Sequence, residues 1–270
     1  MKIIGLGQIV MWPGGNLWIG VSKAPVPPHA HHAIQVSLAL AGTVRLRRSP
    51  GEDWAIYRAA VVPSHLPHAF EAVGSRVATL FCEPESDLGR RIGSRHPPGK
   101  ISEVDADLAA QMREMFREEE IQEASEADLV DRSMAALQVL GGETPWRRST
   151  DPRILHAIDM MLGRLDEPLR LDEVAETVHL SPGRFRHLFV AETGLPFRRH
   201  LLWLRLQRAL AVALEGRSWT EAAHAANFSD QAHLTRTFRQ MFGVAPSALG
   251  HSMPLSQAFE SAAGKTTPDV

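Results

Sequence analysis

Histidine and arginine carry most of the chemistry this sequence can perform, and both are clustered. The stretch PPHAHHAIQVSLALAG (27–42) holds His29, His31 and His32, followed by Gln35 and Gly42; VVPSHLPHAF (61–70) adds His65 and His68. Residues two apart on a strand share a face, so His29 and His31 point one way and His32 the other, toward solvent. Imidazoles grouped in this manner line a ligand pocket, hold a transition metal, or belong to a structural turn cluster. Spacing alone leaves the three readings open. Farther along, Arg184, Arg186, Arg198, Arg199, Arg205 and Arg208 fall between Ser181 and Arg208, with Glu192 the only acid among them. Such a run is the local signature of a phosphate-facing surface. The whole chain, with 29 Lys and Arg against 31 Asp and Glu, has a net charge of -2 and no global pull on nucleic acid, so DNA binding must rest on that run.

Two kinds of element are needed to position these groups. Up to about residue 100, apolar residues alternate: Ile34, Val36, Leu38 and Leu40 share one parity, and Val44 and Leu46 continue it. Further strands are expected over Trp54 to Val62 and Val77 to Phe81, separated by turn signals at SPGED and Pro63/Pro67. Short strands so spaced predict a small antiparallel barrel or sandwich. Its interior is expected to be lined by the Ile34-to-Leu40 face, with Trp12, Trp18 and Trp54 as further candidates. The segment GSRHPPGK (93–100) closes this part.

The period then becomes helical, with Val104, Leu108, Met112 and Met115, then Val130, Met134 and Leu137, at three- and four-residue steps. These apolar positions, with Phe116, suit either a dimer interface or the chain's own barrel. A loop at 141–152 follows, and Asp151-Pro152 reads as the N-cap and first residue of a helix. Beyond it lies a duplication. LDEVAETVHLSPGRFRHLFVAETGLPF (171–197) resembles WTEAAHAANFSDQAHLTRTFRQMFGVAP (219–246), at an offset of 48 up to Ser181/Ser229 and 49 from Phe185/Leu234 onward. Each copy reads as helix, tight turn, helix. His179-Leu180 and Asn227 hold the turns, Ser181 and Ser229 cap the later helices, and Gly194 and Gly243 end them. The helix between the copies, roughly Pro196 to Leu214, would be ~27 Å long at 1.5 Å per residue. That suits two recognition helices set about one DNA turn apart.

A single cysteine, Cys82, excludes an intrachain disulfide and fits a reducing compartment. No apolar run reaches the roughly 18 residues needed to cross a bilayer, and the amino terminus does not read as a signal peptide. A cytoplasmic, nucleoid-associated location with no membrane partner is the expectation.

Residues 152–249 resemble the paired helix-turn-helix domain of the AraC/XylS family, most clearly in VAETVHLSPGRFRHLFVAETGLPF and FSDQAHLTRTFRQMFGVAPSAL. His179 stands where that family often has Gly, and Ala248-Leu249-Gly250 replaces its usual terminal Tyr-Arg. The resemblance implies base-reading positions at Gly183, Arg186 and His187 in the first unit and at Gln231, Ala232, His233 and Arg236 in the second. Arg184 is expected beside them on phosphate. Arg186 and Arg236 suit guanine and Gln231 suits adenine, whereas Gly183 and Ala232 offer no side-chain donor. His29-x-His31, Gln35, Gly42 and the later His68 resemble the two motifs of the cupin barrel. That resemblance implies an effector site at His29, His31, Gln35 and His68, or a divalent transition metal on His29, His31 and His68. Gln35 stands where metal-binding cupins carry Glu, so charge compensation for a dication is reduced.

The implied fold class is α+β in two domains, a cupin-like β-barrel with following helices and an all-α domain with two helix-turn-helix units. The expected boundaries are 1–98 for the sensory barrel, 99–142 for a helical dimerisation or linker region, 151–250 for the DNA-binding domain and 251–270 for a flexible tail. The implied function is a non-enzymatic transcription regulator that answers a small-molecule effector. Its expected partners are double-stranded DNA with tandem or direct-repeat half-sites, RNA polymerase and a second copy of itself. The rival reading is a metal-dependent cupin enzyme with a helical appendage.

Overall fold

The amino-terminal stretch forms a hairpin that residue alternation does not mark: β1 (Gly5–Trp12) and β2 (Gly15–Ser22) pair antiparallel across Pro13-Gly14. The computed structural model describes residues 5–143, 150–249, 255 and 257–259. After the hairpin come β3 (Val26–His29), β4 (Ile34–Ala41), β5 (Val44–Arg47), β6 (Ala55–Tyr57), β7 (Ala59–Val62), β8 (His68–Glu71) and β9 (Arg76–Cys82). With β10 (Ser102–Glu103) they make two sheets, a six-stranded one in the order β1-β2-β9-β4-β7-β10 and a four-stranded one in the order β3-β8-β5-β6. The single strand expected over 54–62 is two strands, one in each sheet, with the break at Arg58.

Alternation in β4 is real, but it faces the other way from the expectation. Ile34, Val36 and Leu38 join the core under the helices, not the barrel interior. The inner face belongs to Gln35, Ser37 and Ala39, with Ala39 packing on Val44, Leu46, Val62 and Phe70 between the sheets. The six-stranded sheet is thus buried on both sides, and the larger apolar side chains line the helix-covered face. Of the three tryptophans, Trp18 faces the interior, Trp12 packs under the helices, and Trp54 lies beneath the Arg47 guanidinium, 4.4 Å from its ring centre.

The helical cover comprises α1 (Asp87–Arg95), α2 (Ala106–Glu114), α3 (Glu118–Ile121) and α4 (Glu126–Gly141). Ser86 caps α1 by accepting from the Gly89 N–H, and Ser125 with Asp128 forms a capping box on α4. Met112, Phe116 and Leu137 are fully buried against the chain's own sheet, with Met115 and Met134 packed beside them. A dimer interface on those residues is therefore not available, because the face is already covered.

The carboxy-terminal part comprises α5 (Pro152–Leu162), α6 (Leu171–Thr177), α7 (Pro182–Thr193), α8 (Phe197–Leu214), α9 (Trp219–Ala225) and α10 (Gln231–Phe242), followed by a 3-10 turn at Pro246–Ala248. The duplication is a pair of helix-turn-helix units, α6/α7 and α9/α10, strung on α8. His179 (φ 55) and Asn227 (φ 52) adopt the left-handed conformation at the two turns, and Gly194 (φ 74) and Gly243 (φ 76) adopt it at the helix ends. One cap differs from the expectation. Asp230, not Ser229, caps α10, accepting from the His233 N–H at 2.6 Å. The inserted residue of the second copy therefore precedes the cap.

Leu255, Ala258 and Phe259 are buried in the core of the β domain, and the Arg76 guanidinium lies 5.2 Å from the Phe259 ring centre. That part of the supposed flexible tail is a docked segment. The remainder of 251–270, and residues 144–149 of the expected loop, lie outside the described residues.

Candidate functional site

The residues expected to read DNA sit on the first turns of α7 and α10. Gly183, Arg184, Arg186 and His187 are all exposed, as are Gln231, Ala232 and Arg236, while His233 is half-buried. Phe185 and Phe189 hold α7 in the core, and Leu234 and Phe238 do the same for α10, so the helical period turns the polar positions outward. Among the described residues no ion pair engages Arg184, Arg186 or Arg236. Gln231 Oε1 accepts from the Thr220 hydroxyl at 3.0 Å, which orients its amide, and His233 lies 3.2 Å from Ser229 Oγ. Arg205 leaves the basic run: it is half-buried and donates to the Glu167 carbonyl at 2.7 Å. Glu192, the one acid of that run, is buried against Arg90 of α1 at 2.8 Å.

Three histidines of the sheet domain lie together. Rings of His29 and His68 lie 4.3 Å apart, and those of His31 and His68 5.1 Å apart. Each ring places Nδ1 on a backbone carbonyl: His29 on Pro27 (2.9 Å), His31 on Ala33 (2.8 Å), His68 on Leu66 (2.9 Å). A carbonyl only accepts, so Nδ1 carries the proton in all three and Nε2 keeps its lone pair. His31 Nε2 and His68 Nε2 meet the Gln35 carboxamide at 3.0 and 3.1 Å, and the other end of that amide meets Ser37 Oγ at 2.9 Å. All three groups are satisfied when the amide NH2 faces the two bare nitrogens and its oxygen accepts from Ser37. Burial, reinforced by His31, holds His29 down at about 3, and burial holds His31 at about 4. His68 falls well below the usual imidazole value for the same reason. Three neutral imidazoles with outer nitrogens tied to carbonyls and ligand atoms within 4.8 Å of one another fit a divalent transition metal.

His29 and Gln35 open onto a chamber of about 720 Å³ on the inner face of the six-stranded sheet. Val26 and His29 of β3 and Phe70 of β8 contribute to its wall from the four-stranded sheet. The carboxy-terminal part adds Leu210 and Leu214 of α8, Trp219 of α9, and Phe242 of α10. Phe242 stacks on Trp18 (5.2 Å, 28°), meets Phe81 edge-on (5.8 Å), and is 3% exposed. Gly243 is packed so closely that a Cβ there would stand 2.8 Å from the Pro27 carbonyl and 3.0 Å from His29 Nδ1. One helix thus bears the outward Gln231 and Arg236 at its start and a wall of the chamber at its end.

A second histidine cluster lies at the seam between the sheet domain and α8, and sequence reasoning missed it. His32 is 2% exposed rather than solvated. Its Nε2 donates to Glu85 at 2.9 Å, and His200 Nε2 donates to the other oxygen of the same carboxylate at 2.8 Å. Trp203 Nε1 donates to Glu83 at 2.8 Å. Burial would lower the His32 pKa, but the Glu85 and Glu83 carboxylates outweigh it and raise it. Burial, joined by the charge of Glu85, pushes Glu83 up to about 7, whereas the His32 charge and the two imidazole hydrogen bonds hold Glu85 low against burial. A signal existed for His200: it falls on the apolar face marked by Phe197, Leu201 and Leu204, where a polar residue requires a partner. Nothing local marked Glu83, Glu85 or Arg90.

A helix-turn-helix domain family matches residues 174–251. MarA of Salmonella typhimurium, a multiple antibiotic resistance protein, is 30% identical over 105 residues, covering 37% of this chain and 80% of MarA. The chain belongs to the AraC family of transcription regulators. The HTH-type transcriptional regulator GbdR of Pseudomonas aeruginosa is 28% identical over 152 residues, 56% of this chain, and the match spans 38% of GbdR. A solved structure of ToxT from Vibrio cholerae aligns over 91% of this chain and 98% of its own, with a TM-score of 0.56 at 10% identity. That likeness is one of fold, and it extends across both the sheet-rich and the helical parts. Among the described residues no helix is long and apolar enough to cross a membrane.

Proposed function

We propose that this AraC-family protein is a sequence-specific DNA-binding transcription regulator whose affinity for DNA is set by a small molecule in the sheet-domain chamber. The observation that carries the reading is the double duty of α10. Its first turns present Gln231, Ala232, His233 and Arg236, its last residue, Phe242, walls the chamber, and Gly243 just beyond packs against His29. A ligand that displaces Phe242 moves a DNA-reading helix directly, with no relay. The chamber walls are mainly apolar, and His29 and Gln35 supply polar groups at one end. The effector is accordingly a compound with an apolar body and one polar or metal-seeking head, held by His29, His31, Gln35 and His68. A divalent transition metal on His29, His31 and His68 would supply a Lewis-acidic anchor for that head.

On DNA, Arg186 and Arg236 donate to guanine, Gln231 reads adenine, and Arg184 contacts phosphate. His187 reads alongside Arg186, while Gly183 and Ala232 admit close approach of the backbone. The protein acts in the cytoplasm on the nucleoid, as a homodimer on tandem or direct-repeat half-sites, and RNA polymerase is its downstream partner. Family membership favours this reading over the metal-dependent enzyme. Operator selection from random oligonucleotides, followed by anisotropy titration, tests it. Arg236→Ala should weaken the selected site by about 1–3 kcal/mol and relax one base position. Equal loss on every sequence would remove Arg236 from the base readers. His29→Ala with His31→Ala should abolish the effector response and leave DNA binding intact; an unchanged response rejects the chamber as the sensor. Stoichiometric metal together with substrate turnover would instead favour the enzyme.

A further inference from the structure

We propose that His32, Glu85 and His200, completed by Glu83, bind one divalent transition metal ion of the zinc class at the seam between the sheet domain and α8. One donor atom from each of the first three lies within 4.8 Å of the others, and all three side chains are buried. The contacts are 2.9 Å for His32–Glu85, 2.8 Å for His200–Glu85 and 3.5 Å for His32–Glu83. Donors about 2.1 Å from a tetrahedral ion stand ~3.4 Å apart, so small adjustments suffice to admit one. Charge agrees: two carboxylates and two neutral imidazoles sum to the opposite of a dication. The nitrogen-and-oxygen donor set favours zinc, cobalt or nickel over calcium and magnesium.

One unpaired atom marks the cluster as incomplete by itself. Glu83 Oε2 is buried without a hydrogen-bond partner, and it lies on the His32 side of the cluster. Buried polar atoms are ordinarily paired, and a ligand is one way of pairing them. His32 Nδ1 stands 3.4 Å from His65 Nε2, an outer contact of the kind that orients a ligating imidazole. His65 is itself held in the left-handed region, at φ 63. The four donors come from the turn before β4, the segment after β9, and α8. A bound ion would tie α8, and both helix-turn-helix units with it, to the sheet domain. That consequence for DNA affinity rests on the regulator reading, whereas metal binding is measured without DNA, so the two can fail separately.

The test is cobalt(II) titration of the full chain, stripped with a chelator, in a His31→Gln/His68→Gln background that removes the chamber cluster. One equivalent should bind, with the visible d–d absorption of four-coordinate cobalt. Adding His200→Gln should abolish that signal. Glu83→Gln, which keeps the side-chain shape and the Trp203 contact, should weaken binding about tenfold with an unchanged circular dichroism spectrum. If His200→Gln does not fold, Glu83→Gln decides. Failure of the background variant to bind cobalt at micromolar concentration overturns the proposal. So does a six-coordinate spectrum indifferent to Glu83→Gln.

Discussion

The two helix-turn-helix units are close copies in sequence, yet they are seated on the sheet domain by different forces. The first is held through charge. Arg90 of α1 donates to both the carboxylate and the carbonyl of Glu192 at the end of α7, at 2.8 and 3.0 Å, and its Nε donates to Thr150 at 2.6 Å. The second is held by aromatic packing, with Phe242 set among Trp18, Phe81 and Trp203. Contacts of the first kind depend on direction and are rigid. A packed ring beside a chamber can be displaced by whatever fills that chamber. The comparison assigns the anchoring role to the first unit and the responsive role to the second.

Breaking the second seat should have the largest effect. Phe242→Ala removes a buried ring and should lower stability by about 3–5 kcal/mol, read from denaturant melts. If it also makes DNA affinity indifferent to effector, the responsive role stands; retained regulation would transfer that role elsewhere. Arg90→Ala removes the Arg90 cation from buried Glu192 and should cost up to about 3 kcal/mol, because Arg90 keeps some solvent contact. Its effector response should survive, and loss of the response would erase the contrast between the units.

Acid should loosen the second seat. His29 and His31 have folded pKa values of about 3 and 4, below the unfolded value of 6.5, so the unfolded chain binds more protons between these limits. Stability is therefore complete above about pH 6.5 and falls as pH drops toward 4, by at most about 1.4 kcal/mol per pH unit for each histidine. His31→Gln should flatten that slope in melts across the window, and an unchanged slope would place the titrating groups elsewhere. The smallest effect separates the caps of α10. Asp230→Ala should cost about 1 kcal/mol and Ser229→Ala close to nothing. The reverse order would restore the equal spacing of the two copies.

The helical half was largely legible in the sequence, because its signals are local. Turn residues at His179 and Asn227, glycine ends at 194 and 243, and apolar steps such as Phe185 and Phe189 each act within one or two turns of helix. The exposure of Arg186 and Arg236 follows from the same period. In the sheet domain, alternation revealed β4 but not its orientation: both faces are buried, and only the neighbours decide whether the apolar parity of Ile34, Val36 and Leu38 faces the helices or the chamber. The Ser229/Asp230 shift escaped because either residue can cap a helix.

Sequence alone determined the duplicated units and the alternation of β4, since each depends on near neighbours along the chain, whereas His29 at the end of β3 and His31 in the turn after it share no strand face. Only the tertiary structure decided that α8 to α10 add to the chamber wall, that Phe242 is part of it, and that His32 meets Glu85 and His200. Those contacts join residues more than fifty positions apart, and burial imposes partners on them that no local spacing encodes.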